Sequence, residues 1–339
     1  MPNVHALADL IFLHLSDIHF QRGCVGDVHD QNAEVRNELQ RDIRRLRSIL
    51  PRVDGIVISG DIAFGGKSEE YEYATNWLDA IREAVDCPKL GIMVTPGNHD
   101  IDRDMVGAGS DARVVQERIR SATTHAERDR LLATALRDPS DGDALIKPLT
   151  AYNAFAKEYG CDISRTRPFW ERSFPLPDGS CLRFRGLTTT LLSGPEDDDQ
   201  THKMLYGSAQ RTLLRHSGIR HIVIGHHPPS WSIEGDNADR TFSTIATVQG
   251  FGHTHDQWIT ASPTCVRVIA GAFHPDRAEP QWLPRYSALA FSVVDDRRLR
   301  FRVYPRRWTF ESMQFMADFT PEGRIDREYV LDVEPLHSD

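Results

Sequence analysis

The chain has 339 residues, 40% of them hydrophobic and 26% charged, with 23 Gly and 19 Pro, an ordinary globular composition that excludes collagen-like, mucin-like and disordered classes. A net charge of −9 gives the whole molecule no pull toward nucleic acid or an anionic membrane, and no run approaches the ~18 apolar residues of a membrane span. The five cysteines, Cys24, Cys87, Cys161, Cys181 and Cys265, are scattered, odd in number and never in a Cys-x-x-Cys pair, so a reducing, cytoplasmic setting is expected rather than a disulfide framework or zinc ribbon.

Along the chain, short apolar runs recur, each ending in a polar cluster. Ile11-Phe12-Leu13-His14-Leu15 leads to Ser16-Asp17-Ile18-His19, and Gly55-Ile56-Val57-Ile58 leads to Ser59-Gly60-Asp61. Gly91-Ile92-Met93-Val94 precedes Pro96-Gly97-Asn98-His99-Asp100, His221-Ile222-Val223-Ile224 precedes Gly225-His226-His227-Pro228, and Thr247-Val248-Gln249 precedes Gly252-His253-Thr254-His255. Such runs predict strands covered on both faces. Between the first three lie helical patterns, with Val35, Leu39, Ile43, Leu46 and Leu50 on one face and Tyr71, Ala74, Leu78, Ile81 and Val85 on another. The alternation predicts an α/β fold. Gly66-Lys67-Ser68 ends like a phosphate loop, but Asp61 stands where that motif needs its first glycine; Ser68 is therefore read as a helix N-cap, with Glu69 and Glu70 on the first turn.

Residues 104–178 carry too much helical pattern, over 114–136 and 144–159, for a loop, and are read as a helical insertion or cap. It leaves the chain directly after Asn98-His99-Asp100, so it is expected to narrow access to whatever that block builds. Leu182-Arg183-Phe184-Arg185-Gly186-Leu187 resumes as a strand, and Glu196-Asp197-Asp198-Asp199 reads as an acidic loop. Leu289, Phe291 and Val293, then Leu299, Phe301 and Val303, alternate about an Asp295-Asp296-Arg297-Arg298 turn and predict a hairpin. Its arginines, Arg297, Arg298, Arg300, Arg302, Arg306 and Arg307, are read as the solvated face of an edge strand. Without repeats or a linker, 1–339 is expected to be a single domain.

The polar clusters all sit past strand C-termini, where open α/β sheets place ligands. Asp17, His19, Asp61, Asn98, His226, His253 and His255 together offer carboxylate, amide and imidazole donors without a thiolate. That is too many for one tetrahedral ion and suits two divalent ions of the manganese, iron or zinc kind. Alternation along an extended strand end would aim Asp17 with His19, and His253 with His255, to one side. Gly60, Gly97, Gly225 and Gly252 each precede a candidate ligand and would leave room for close approach.

In this order the five blocks, Asp17-x-His19, Gly60-Asp61, Gly97-Asn98-His99-Asp100, Gly225-His226-His227-Pro228 and Gly252-His253-x-His255, resemble the calcineurin-like metallophosphoesterase superfamily over about residues 10–256. The resemblance implies a four-layer α/β/β/α sandwich of two mixed β-sheets flanked by helices, completed by a C-terminal hairpin and tail at 280–339. It also implies a dinuclear centre, with Asp17, His19, Asp61 and His255 on one ion, Asp61, Asn98, His226 and His253 on the other, and Asp61 bridging. Two such cations would generate a bridging hydroxide and neutralise the phosphate. His99 would assist the leaving group and Asp100 would orient its ring, while Arg103 would donate to the phosphate and His227 would line the substrate cleft. The expected activity is metal-dependent hydrolysis of small phosphodiesters, cyclic nucleotides among them. A nuclease acting on DNA or RNA ends is the alternative, disfavoured by net charge, and a catalytically silent scaffold is the third reading. No membrane or protein partner is indicated.

Overall fold

The apolar runs form strands as the sequence predicts, and they divide between two sheets. The computed structural model describes residues 9–23, 25–28, 30–195, 204–275 and 283–336; Cys24 and the acidic run at 196–199 lie outside them. The first sheet begins with β1 (Leu10–Leu15), β2 (Gly55–Ile58) and β3 (Ile92–Val94), parallel and wholly buried. The second holds β4 (Phe169–Pro175), β5 (Cys181–Leu187), β6 (Ile219–Ile224), β7 (Ala246–Phe251), β8 (Trp258–Ala261) and β9 (Val266–Ile269), in the order β4-β5-β6-β7-β9-β8. The chain then returns to the first sheet through β10 (Arg285–Asp295), β11 (Arg298–Thr309), β12 (Gln314–Ala317) and β13 (Arg327–Asp332). Both sheets are mixed: β10 is antiparallel to β1, and β4 and β8 are antiparallel to a parallel interior. They pack face to face through aromatic rings, Phe12 of β1 lying 4.7 Å from Phe184 of β5 in a layer of the kind that sheet packing requires.

Helices α1 (Ala33–Leu46) and α2 (Ser68–Ala84) bury the faces that their spacing marks out, Val35, Leu39 and Ile43 on one and Tyr71, Ala74 and Leu78 on the other. The N-terminus of α2 departs from expectation: Lys67 is its cap residue and Ser68 is already helical. The carboxylate of Glu70 holds that end, accepting from the backbone N–H of Gly65 and of Lys67 at 3.0 Å each.

The 104–178 segment is helical but not one unit. Residues 114–136 split into α3 (Asp111–Arg120) and α4 (His125–Arg137), because Thr124 opens a new helix by accepting from Glu127 N–H. Then follow α5 (Pro139–Ile146), a turn at Pro148, and α6 (Thr150–Lys157). Helices α3 to α5 share a small core of Val115, Ile119, Leu132 and Leu145 with Leu191 and Leu205. Helix α6 instead joins the main core through Tyr152 and Phe155. Residues 169–175 are β4, so the insertion ends before the boundary that helical pattern alone suggested. The short helix α7 (Ser208–Arg211) precedes β6, and α8 (Gly235–Ile245) precedes β7 and packs on it. No helix among the described residues is long and apolar enough to cross a membrane.

The C-terminal arginines are not an edge face. β11 pairs with β10 on one side and with β12 and β13 on the other, so it lies inside the sheet. Its arginines meet carboxylates there, Arg302 with Glu328 at 2.7 Å and Arg307 with Asp318 at 3.3 Å. Arg306 reaches across to Asp42 of α1, which is fully buried and also accepts from Tyr286 Oη of β10 at 2.5 Å. Removing one partner of such a buried pair strands the other charge, so Asp42→Ala should lower stability by about 3–5 kcal/mol. A urea denaturation midpoint within error of the unaltered protein would contradict this.

Candidate metal centre

The strand ends of both sheets converge at one place. Asp17, His19, Asp61, His253 and His255 all have φ between +52° and +73°, and they are five of the seven non-glycine residues at positive φ among those described. Each such backbone costs on the order of 1–3 kcal/mol and persists only where surroundings over-determine it. These side chains are therefore aimed by left-handed turns just past the strands, rather than by strand alternation. The turns are knitted together: Ile18 and His19 N–H donate to Asp61 O, and Ala272, Phe273 and His274 N–H donate to His255, Ser16 and Asp17 carbonyls. Two glycines are obligatory there. A Cβ on Gly97 would lie 2.1 Å from Asp61 Oδ1, and one on Gly60, at φ +96°, would lie 2.6 Å from the His226 ring.

Asp61 stands between two groups of donors. Its Oδ1 accepts from His99 N–H at 2.8 Å, while Oδ2 faces His19 Nε2 at 3.3 Å and His226 Nε2 at 3.1 Å. On one side, ligand atoms of Asp17, His19 and His255 lie within 4.8 Å of one another; on the other side the same holds for His226, His227 and His253. Asp17 Oδ1 and His226 Nε2 are buried, face each other at 3.8 Å and make no hydrogen bond. Buried carboxylate and imidazole atoms aimed at one place without a hydrogen bond are lone-pair donors that a cation can satisfy, so the donor set fits two divalent ions. His226 Nδ1–H donates to Ser59 O at 2.8 Å, which turns Nε2 toward the cluster.

Electrostatics agree with this geometry. Burial pushes Asp61 and Asp17 upward, but facing imidazoles, His226 foremost, outweigh it and hold both carboxyls below the usual range. Burial alone would lower His226; the charges of Asp61 and Asp17 raise it instead to about 9. His253 drops to about 3, through burial and then the neighbouring His226 charge.

Three expected roles change. His227 is fully buried: Nε2–H donates to Asn98 Oδ1 at 3.0 Å and Nδ1 accepts from Thr189 Oγ1 at 2.7 Å, so it positions Asn98 instead of lining a cleft. Asp100 does not orient the His99 ring. Its carboxylate is spent on N–H groups of Ile62, Ala63 and Gly97 and on Tyr71 Oη, and the Phe64 carbonyl holds His99 Nδ1 at 2.8 Å. Burial and the nearby Asp61 charge raise Asp100 to about 6. The helical insertion lines no part of the cavity beside the cluster. That cavity, about 530 Å³, lies between His19, His99 and His255 and the chain segment running through Asn32 to Arg36. Arg103 is half-buried on a short turn; burial, and after it the charges of His19 and Arg103, lower the basicity of His99. His274 was not anticipated, although Phe273-His274-Pro275 after β9 repeats the strand-then-histidine signal; its Nδ1 meets Ile18 O at 2.6 Å and its ring borders the cavity.

Comparison with known proteins follows the same lines. The chain is 33% identical over 97 residues to the glycerophosphodiester phosphodiesterase GpdQ of Enterobacter lignolyticus (strain SCF1), a match covering 27% of this chain and 30% of that relative. The chain thus spans under a third of that relative's length. A purple acid phosphatase, PPD1, from yellow lupin (Lupinus luteus) seeds shares the fold with a TM-score of 0.50 at 10% identity, over 97% of this chain and 55% of that one. The family described as calcineurin-like phosphoesterase matches residues 10–257, well over half of the sequence and all five blocks, and the chain belongs to that family.

Proposed function

We propose that the chain is a metal-dependent phosphodiesterase for small diesters. The observation that carries this reading is Asp61 Oδ2 held between His19 Nε2 at 3.3 Å and His226 Nε2 at 3.1 Å, beside a buried Asp17 Oδ1 that makes no hydrogen bond. Asp17, His19, Asp61 and His255 would hold one ion, and Asp61, Asn98, His226 and His253 the other, drawn from manganese, iron or zinc. Bound there, two cations would supply positive charge to activate water and neutralise a phosphate. His99 would serve as general acid in its doubly protonated form: Nδ1–H donates to Phe64 O, and the Nε2 proton would pass to the departing alkoxide, leaving the neutral ring. Arg103 would bind a phosphate oxygen, and His227 with Thr189 would keep the Asn98 amide in place. The diester preference is supported by the name of the glycerophosphodiester phosphodiesterase relative. Against a nuclease stand the net charge of −9 and the arginines of β11 already engaged by carboxylates. The deciding assay is hydrolysis by metal-depleted protein reloaded with Mn²⁺, across phosphomonoesters, small diesters and DNA. Diesters should be cut fastest, and faster cleavage of monoesters or of duplex DNA would overturn the reading.

Asp61→Asn should lose bound metal and hydrolysis together, because one carboxylate serves both positions. His99→Ala should keep two ions per chain by elemental analysis yet lose about 10²–10⁴ in turnover, the range for one general acid; a parallel fall in metal content would show that His99 serves binding instead.

Metal loading should release protons. Without metal, His226 is raised to about 9, so it is protonated at neutral pH, whereas a ligand imidazole must surrender that proton. Affinity should therefore climb with pH up to about 9 and fall as the pH drops. Calorimetric titration at pH 7 in buffers of differing ionisation enthalpy reads the proton directly, and heats independent of buffer would refute the assignment.

A further inference from the structure

The helical insertion lines no part of the cavity, yet a continuous run of hydrogen bonds ties it to the metal cluster. The run starts at the half-buried Asp129 of α4. Its Oδ1 accepts from Ser208 N–H at 3.0 Å, and its Oδ2 accepts from Arg211 Nη2 at 2.7 Å. Arg211, on α7, turns its Nε to Glu234 Oε1 at 2.8 Å, and both of these side chains are buried. Glu234 in turn accepts from the backbone N–H groups of Tyr206 at 2.8 Å and Gly207 at 3.1 Å. One guanidinium bridges two carboxylates, and α7 is fixed between the insertion and residue 234.

From α7 two contacts converge on His227. Tyr206 Oη–H donates to the His227 carbonyl at 2.6 Å. Gln210, fully buried, clamps the segment beside it: it accepts from Thr188 N–H at 2.7 Å and donates to Thr188 O at 2.8 Å and Tyr206 O at 2.7 Å. Thr189 then meets His227 Nδ1, and the other ring nitrogen meets Asn98 Oδ1. From the insertion itself, Gln116 of α3 donates to Leu191 O at 3.1 Å and to Ser193 O at 2.9 Å on the same segment. Both the carbonyl and the ring of His227 are therefore set by this run. Residue 227 follows His226 in the chain and holds Asn98, two of the four donors assigned above to one ion.

Resting on the two-ion reading above, we infer that the insertion is the scaffold of one ion position, that of Asn98 and His226, and that Asp129, Gln210 and Tyr206 are its positioning residues. The turns carrying Asp17, His19 and His255 are held differently, by the N–H groups of residues 272–274 and by the Asp61 carbonyl. Loosening the run should therefore weaken one ion and spare the other. Tyr206→Phe is the sharp test, because it removes the bond to His227 O and keeps a ring against Phe242, 5.3 Å away. Asp129→Ala cuts the run at its far end, on a helical position where Ala is favourable.

The experiment measures stepwise Mn²⁺ affinities of the full chain by calorimetric titration, with His253→Ala as the reference that marks the step belonging to this ion. Tyr206→Phe should weaken that step about tenfold, as loss of a contact behind a ligand does, and leave the other step unchanged. Asp129→Ala should weaken the same step on the order of 3–10-fold, and Asp129→Asn, which keeps an acceptor for Ser208 N–H, should lose less. Hydrogen exchange of the metal-free protein gives a second readout: the amides of residues 226–232 should exchange faster in both Tyr206→Phe and Asp129→Ala, and those of residues 15–19 should not. Equal effects on both steps, or none in Tyr206→Phe, would overturn the inference. Unchanged affinities in Asp129→Ala would overturn it too, and if larger diesters were then cut faster the insertion would govern access instead. Fewer than two ions bound by the unaltered protein would overturn the two-ion reading, and this inference with it.

Discussion

Two carboxylates, Asp17 and Asp61, are buried side by side in this molecule, and the architecture around them answers that constraint. Desolvation and mutual repulsion would each drive such groups to take up protons. Imidazoles on every side reverse this and keep both ionised. Because these rings must approach from different directions, no single element can provide them. The first sheet contributes Asp17, His19 and Asp61 from the ends of β1 and β2, and the second contributes His226, His253 and His255 from β6 and β7. The face-to-face packing of two sheets, with all these ends at one rim, brings the two sets within bonding range.

Such convergence strains the backbone. Five donors sit in left-handed turns, and those turns survive because carbonyl and N–H groups of neighbouring turns close on them. Residues 272–274 are the clasp, linking the carbonyls of Ser16 and Asp17 with that of His255. Around this lies a further ring of positioning contacts: Ser59 O on His226, the Phe64 carbonyl on His99, and Thr189 with His227 on Asn98. Asp100 belongs to this ring too, since its hydrogen bonds to Gly97, Ile62 and Ala63 tie the β2 and β3 loops to one another.

Helix α1 couples the site to the rest of the molecule. Its first turn walls the cavity through Asn32 and Arg36, while Asp42, three turns on, is locked to Arg306 and Tyr286 of the C-terminal strands. The return of the chain to the first sheet therefore does more than cover β1. It anchors the element that shapes the pocket: Arg306 is engaged in that anchoring and Arg302 in pairing along β13, while Arg297, Arg298 and Arg307 stay exposed.

The positions of Asp17, His19, Asp61, His226, His253 and His255, which the structure brings together, the α/β alternation and the family were legible in the sequence because each rests on local pattern: an apolar run, a turn, then Asp or His at fixed spacing. The two sheets came from resemblance rather than periodicity, which cannot tell which strand pairs with which. Roles that depend on contacts between distant segments were not legible. Whether His227 faced a cleft or Asn98 depended on Thr189, 38 residues away, and whether Asp100 touched His99 depended on the backbone at 62–63. The 104–178 boundary failed because helical propensity does not show where a strand such as β4 finds its partner, and the insertion's distance from the cavity lining was decided by its packing on Leu191 and Leu205. Sequence by itself determined which groups were available to bind metal; tertiary packing decided what each of them touches, because hydrogen bonds and burial are set by neighbours in space rather than along the chain.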